Sequence, residues 1–258
     1  MDVHVANVAR IPKPKVKTDK KDARHLLKLW RGDTLPESYL PPDDVHQLRD
    51  LTRHRIYLAN EVRRFKGKIK HDLYKHGHFV DTNPVNSQKG RTWIDSLAAP
   101  EIASSKRVWE TLQREIDDLQ SRLEAITTTN PHAQRLMTIP GIGAYTALVV
   151  LAEVGDFARF ETGDQVASYA GLTPSIHQSG DNCRTGQITK QGNPTLRFIL
   201  VEAAHSHVRH CPGSAISQRH RRLAEKKGAG RAAVATARQL LTVMKAMIDK
   251  NEDFQVNP

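Results

Sequence analysis

The sequence predicts a mainly α protein, with long paired helices followed by a compact set of shorter ones. Three observations carry this prediction. Apolar residues recur at three- and four-residue spacing across about 43–77 and 101–127, stretches much longer than a strand and periodic like one stripe of a helix. The alternation expected of a strand is confined to one short run, Val3 to Val8. From Asn130 to about Asp249, Gly and Pro cut the chain into short segments that suit helices joined by tight turns.

After Val3 to Val8, the run Ile11-Pro-Lys-Pro-Lys-Val-Lys is a stiff basic linker, because its prolines exclude a helix. Thr18 suits an N-cap, and Asp19 and Asp22 fall in the first turn, where carboxylates complement the helix dipole. The apolar face of this helix continues through Leu26, Leu27 and Trp30 and stops at Gly32-Asp33. The 43–77 helix places Leu48, Leu51, Leu58, Val62, Phe65, Ile69 and Leu73 on one stripe. Its other faces hold Arg53, Arg55, Arg63, Arg64, Lys66, Lys68 and Lys70, which either follow a phosphate backbone or simply face solvent. Pro84 and Gly90 mark an irregular stretch, after which Val108, Leu112, Ile116, Leu119, Leu123 and Ile126 form the second long stripe. Two such helices point to an antiparallel coiled-coil arm or a dimer interface, hence a homo-oligomer. An Ala-rich segment from Gly228 to Ile248 ends the ordered part, and Asn251 to Pro258 reads as a loose tail.

Lys and Arg number 39 against 28 acidic residues, a net charge of +11 that suits a polyanion such as nucleic acid. Aromatics make up only 5% of residues, so base-stacking platforms are not the expected mode, and backbone charge contacts are. The two cysteines, Cys183 and Cys211, exclude a disulfide framework and fit a reducing compartment. No apolar run is long enough to span a membrane and no secretion signal opens the chain, so the expected location is the cytoplasm, with the nucleoid when DNA is bound. His205, His207, His210 and Cys211 gather at the end of one predicted helix, where polar packing is the favoured reading over a metal site.

The most specific short motif is Leu136-Met-Thr-Ile-Pro-Gly-Ile-Gly-Ala-Tyr-Thr-Ala-Leu, which matches a helix-hairpin-helix. Pro140, Gly141, Ile142 and Gly143 form the turn, and the next helix begins there with unpaired amide N–H groups able to receive a phosphate oxygen of double-stranded DNA. A Pro-Gly connector that touches nothing is the competing reading.

Three segments in order carry a wider resemblance: Lys17-Thr-Asp-Lys-Lys-Asp-Ala23, the Ile139-Pro-Gly-Ile-Gly143 turn, and Tyr169-Ala-Gly-Leu-Thr-Pro174 leading to Gln178-Ser-Gly180 and Ile188-Thr-Lys-Gln-Gly-Asn193. With these the chain resembles the IS110 (IS116/IS110/IS902) transposases from Val3 to about Ile248. The resemblance implies a RuvC-like domain with an Asp-Glu-Asp-Asp Mg²⁺ site, a coiled coil for assembly, a C-terminal domain with a nucleophilic serine, and a structured guide RNA as partner. It assigns Asp19 and Asp22 to the last two carboxylates of the metal site and Ser179 to the nucleophile, with Ser175 as competitor. Arg184, Lys190 and Arg197 are candidates for phosphate neutralisation by their closeness in sequence.

On this reading, 1–42 is the remnant of the RuvC-like domain with its residual strand, 43–129 the long helical hairpin, 130–250 a compact helical C-terminal domain, and 251–258 a flexible tail. The first Asp and the Glu of the family site have no match in these residues. The expectation is therefore an N-terminally cut-short transposase, catalytically impaired, with weak or absent Mg²⁺ binding. A non-catalytic DNA-binding or regulatory protein derived from a transposase is the alternative.

Overall fold

The structure, a computed structural model, describes residues 4–11, 18–179 and 182–256; at 9, 176–179 and 182–185 only the backbone is described. The Pro12 to Lys17 part of the basic linker lies outside the described residues. The chain divides into two compact units, Met1–Asp43 and Asp44–Pro258.

In the first unit, helix α1 (Asp19–Arg31) starts as the sequence predicts, with the Thr18 side chain accepting from the Lys21 amide at 3.3 Å. Gly32 caps its end, and Asp33 turns left-handed at φ 54°. The expected strand is reduced to a single antiparallel bridge, Ala6 with Glu37, flanked by Asn7 N–H donating to Pro36 O and Ser38 N–H donating to Val5 O. Val8–Arg10 is a 3₁₀ turn instead, because residues 4–11 find only this one short segment to pair with. None of α1 is buried, and Leu26, Leu27 and Trp30 stay exposed.

The second unit contains nine α-helices and a β-hairpin among the described residues. Helices α2 (Asp43–Lys75) and α4 (Pro100–Thr129) run antiparallel. Their contacts step along both: Arg55 Nε donates to Gln120 Oε1 at 3.1 Å, the Lys66 ammonium sits over the Trp109 ring, and His76 meets Glu101. Leu58, Val62, Ile69 and Leu73 share a core cluster with Ile116 and Leu119, as the periodicity predicts, whereas Ile102 and Trp109 fill the α4 side in addition and the expected Val108 stays exposed.

The far end of this arm is ordered rather than irregular. Pro84–Asn86 forms a 3₁₀ turn, and α3 (Gln88–Ser96) is capped by the Ser87 hydroxyl, which accepts from the Gly90 amide at 3.1 Å. Gly90 sits within a helix because Pro84 O occupies the space a Cβ would need. Its glycine is thus a packing requirement, not a helix break.

The C-terminal elements are α5 (Pro131–Met137), α6 (Ala144–Val154), α7 (Gly163–Tyr169), strands β1 (Pro174–Ser179) and β2 (Asn182–Ile188), α8 (Pro194–His210), α9 (Ala215–Lys227) and α10 (Ala229–Lys250). The strands are an antiparallel pair with an irregularity between Pro174 and Ile176. This hairpin corrects the expectation of purely helical structure there. Helix α6 is the centre of the core, with Ala147 to Val154 all buried and α8, α5 and α4 packed around it. Leu48, Leu51 and Ile126 from the root of the arm pack on this same core. The tail is docked at Phe254, whose ring meets His207 edge-on and whose amide donates to Thr138 Oγ1 at 2.9 Å, so the expectation of looseness fails there.

One carboxylate ties arm to core. Glu153 is fully buried, and Arg53 grips it with two hydrogen bonds, 2.7 and 2.8 Å. Asn193 Nδ2 donates to the same carboxylate at 2.5 Å, and Arg49 Nε donates to the neighbouring Ala152 carbonyl at 2.9 Å. The hydrogen bond with Glu153 raises the Arg53 pKa above its ordinary value.

Removing one partner of such a pair strands a charge in low dielectric. Arg53→Ala should therefore cost about 2 kcal/mol in a urea melt, below the fully buried case because Arg53 is half exposed. Arg53→Ala combined with Glu153→Gln should recover part of that loss, and strictly additive losses would refute the coupling.

Candidate functional site

The hairpin motif is built as α5, a turn and α6. Ile139 and Ile142 are buried beneath the turn, and the Ile142 amide donates to Ile139 O at 3.0 Å. Gly141 has φ +88°, and a Cβ there would meet the His207 amide nitrogen at 2.7 Å. It is glycine for two reasons, conformation and close approach to α8. Gly143 differs: its φ is −95° and nothing lies within 4 Å of a Cβ. The turn does not require it. Instead, its missing side chain leaves the start of α6 open and uncapped by any side chain. Exposed amides with the dipole behind them are what a phosphate oxygen binds.

The turn is held from below by His207. Its Nδ1 donates to Pro140 O at 2.9 Å, and its Nε2 accepts from Ser214 Oγ at 3.0 Å. Both ring nitrogens have protein partners, and burial pushes the His207 pKa below its usual value. Among the described residues no three His, Cys, Asp or Glu side chains gather as metal ligands.

Ser179 ends β1, paired with Asn182, so the structure sets it beside the turn of a hairpin rather than in a loop. Its side chain and those of Cys183 and Arg184 lie outside the described residues. The roots of this hairpin are described in detail. Gly171 (φ +69°) and Gly192 bring two segments into backbone contact: a Cβ on Gly192 would meet Tyr169 O at 2.5 Å and Gly171 N at 2.6 Å. Asn193 N–H donates to Tyr169 O at 3.2 Å, while its side chain caps α8 and reaches Glu153. The segments around Tyr169-Ala-Gly and Gln191-Gly-Asn, distant in sequence, therefore clamp the two ends of the hairpin together.

Of the other candidates, Lys190 is exposed at φ +52°, and Arg197 is half-buried with its guanidinium donating to Ala170 O at 3.2 Å. Arg197 thus braces the hairpin root. Ser175 lies against Gly186 across the strands. The arm's cations are largely engaged within the chain: Arg53 with Glu153, Arg55 3.8 Å above the Tyr145 ring, Arg63 with Asn60, Arg64 with Glu61 and Lys68 with Asp72. A row of free phosphate contacts along α2 is not what the structure presents.

In the first unit, Asp19 and Asp22 share the first turn of α1, one exposed and one half-exposed, without an ion-pair or hydrogen-bond partner among the described residues. Two carboxylates on one helical face fit Mg²⁺ as part of its shell, since that ion keeps waters and takes substrate phosphate oxygens besides.

Residues 133–222 match the family described as Transposase IS116/IS110/IS902 family, and residues 2–76 match a DEDD-type IS110 transposase domain. A probable family 20 transposase of Pseudomonas aeruginosa is 30% identical, over 94% of this chain and 76% of the relative. The chain belongs to the IS110/IS116/IS902 transposase family. The transposase for insertion sequence element IS1111A of Coxiella burnetii is 33% identical, over 94% of this chain and 70% of that protein. A pilin gene-inverting protein of Moraxella bovis is 27% identical, over 93% and 68% respectively. DNA binding and metal dependence are what membership of this DEDD transposase family implies. No helix among the described residues is long and apolar enough to cross a membrane.

Sequence reasoning missed Glu153 and Asn193. The signal was present: Glu153 is the one charged residue in the apolar run Ala144 to Val154, and a lone carboxylate in such a run must find a buried partner. Asn193 precedes Pro194, a pairing that suits a helix start.

Two opposite effects are expected at one glycine. Gly143→Asp should stabilise the protein by roughly a few tenths of a kcal/mol by capping α6, while weakening duplex binding, because its carboxylate occupies and repels where phosphate would sit. Gly141→Ala should cost about 2 kcal/mol or more. Thermal melts and fluorescence anisotropy check both, and unchanged duplex affinity in Gly143→Asp would remove the hairpin from the interface.

His207 and His220 both have pKa values lowered chiefly by burial. Unfolding lets each take up a proton as pH falls below about 6.5. The stability they contribute is complete above that pH and is lost as pH drops toward their folded values. Melting temperature should therefore fall between pH 7 and 5, and a flat profile would contradict the neutral, buried state of His207.

Proposed function

We propose that this chain is a DNA recombinase subunit that transposes DNA by serine attack on a phosphodiester, with Ser179 as nucleophile. The observation that carries the reading is the clamped hairpin: Gly171, Gly192 and Asn193 fix the roots of the strands that bear Ser179. A nucleophile needs such positioning, since orientation supplies a large part of a barrier's reduction. In the reaction, the Ser179 Oγ–P bond forms as the P–O bond to the leaving strand breaks. The serine proton passes to solvent or a base, and the leaving oxygen ends as a hydroxyl. The phosphoserine ester keeps the bond energy for rejoining.

Pro140, Gly141, Ile142 and Gly143 hold double-stranded DNA by its backbone, with Arg184 and Lys190 as neutralising charges and Arg197 bracing the hairpin root through Ala170 O. Asp19 and Asp22 would hold Mg²⁺, whose chemistry when bound is charge stabilisation at the scissile phosphate. The arm of α2 and α4 serves self-association, and a structured guide RNA is the partner that the family resemblance adds. The similarity to a pilin gene-inverting protein favours strand exchange as the reaction class.

The test is a Mg²⁺-dependent strand-transfer assay on DNA carrying the element ends, with the 258-residue chain and with a form extended by a segment supplying the two further carboxylates. The extended form should be active, and Ser179→Ala should lower its rate by at least about 10³-fold. Retained activity in Ser179→Ala would defeat the nucleophile assignment. Unchanged activity of Asp19→Ala in the extended form would defeat the assignment of Asp19 to Mg²⁺.

A further inference from the structure

A cavity of about 890 Å³ opens between the root of the β-hairpin and helices α9 and α10. One wall is formed by the paired strands, Gly186 to Ile188 with Pro174 beside them, and the floor is apolar, from Leu172, Leu223 and Val234. Four cations stand around it: Arg219 and Lys227 on α9, Arg231 and Arg238 on α10. Of these, Arg238 is paired with Asp164 at 2.8 Å and Arg219 reaches Gln239 at 3.4 Å. Lys227 and Arg231 are exposed and have no partner among the described residues.

We propose that this groove holds an unpaired strand of nucleic acid, its phosphates on the cationic rim and one or two bases against the apolar floor. The proposal rests on the transposase reading above and extends it to where the opened strand goes. Charge complementarity selects a polyanion, and the floor selects among polyanions. A duplex turns its phosphates outward and stacks its bases inside, so it has no apolar face to offer a concave site. An opened strand has both, and base faces bury on apolar surface without sequence preference.

The position agrees with this. The wall strands are those that lead to Ser179, five residues from Pro174 and so roughly 17 Å along β1. That is the reach of a few nucleotides. A strand held in the groove thus extends toward the serine along the hairpin.

The experiment is fluorescence anisotropy of the full 258-residue chain with a labelled twelve-nucleotide oligo-dT and, separately, a labelled 20-base-pair duplex, across 50 to 200 mM salt. Arg219→Ala with Arg231→Ala should weaken oligo-dT binding about tenfold and lower its salt slope by about 1.4, the value for two phosphates on a single strand. Leu223→Trp, which fills the groove and changes no charge, should weaken oligo-dT several-fold while its salt slope stays the same. Lys227→Ala with Arg231→Ala replaces the first variant, and Val234→Phe replaces Leu223→Trp, if its melt shows misfolding. Duplex affinity should stay within about twofold in all of them.

Unchanged oligo-dT affinity, or equal losses on duplex and oligo-dT, would overturn the proposal. So would a poly-Glu peptide that displaces oligo-dT at lower concentration than unlabelled oligo-dT does. If the wild-type chain binds no duplex while oligo-dT binding still depends on the groove, the helix-hairpin-helix reading fails and the groove stands.

Discussion

The second unit is organised around a buried negative charge. A carboxylate with no access to water is tolerable only if cations and amides surround it. Glu153 meets that condition by drawing Arg53 from the arm and Asn193 from the start of α8, with Arg49 fixed beside it on the Ala152 carbonyl. The Tyr169 hydroxyl donates to the Glu153 carbonyl at 3.0 Å, adding α7 to the same junction. Four helices, α2, α6, α7 and α8, are thereby indexed to one another. Hydrophobic burial around α6 supplies the driving force, but it is non-directional. The charge decides the register.

From this junction the hairpin follows. Asn193 belongs to both constructions: one face of its side chain answers Glu153 and the other starts α8, while its amide holds Tyr169 O. Gly171 and Gly192 are small because the two backbones touch. Ser179 therefore sits at the end of a short pair of strands whose base is fixed by these contacts. The helix-hairpin-helix turn has a similar economy, since Gly141 is compelled by contact with α8 and Gly143 is left open.

The long helices were readable because their periodicity extends over eight turns or so, and no local feature competes with it. Thr18 was readable as a cap for the same reason that it works as one. Two features misled. Pro84 and Gly90 look like helix breakers, yet Pro84 opens a 3₁₀ turn and Gly90 answers a contact with it, a tertiary cause that no window of sequence contains. The strands β1 and β2 hold few β-branched residues, and the Gly180-Asp181 pair between them was the only hairpin signal. The basic residues of the arm misled differently. Charge counts were legible, but whether Arg53 and Arg55 face outward depends on Glu153 and Tyr145, about a hundred residues away. For the same reason the cationic rim of α9 and α10, split between two helices, did not stand out in the sequence.

The junction at Glu153 has a mechanical side. From Arg53 to the end of α2 is 22 residues, a rod of roughly 33 Å. A tilt of about 5° at its base would move its far end by roughly 3 Å, about the length of a hydrogen bond. By bolting that base with a bidentate ion pair and the stacked guanidinium of Arg55, the molecule converts a local electrostatic requirement into a lever whose tip, with α3 folded over it, arrives at a repeatable place.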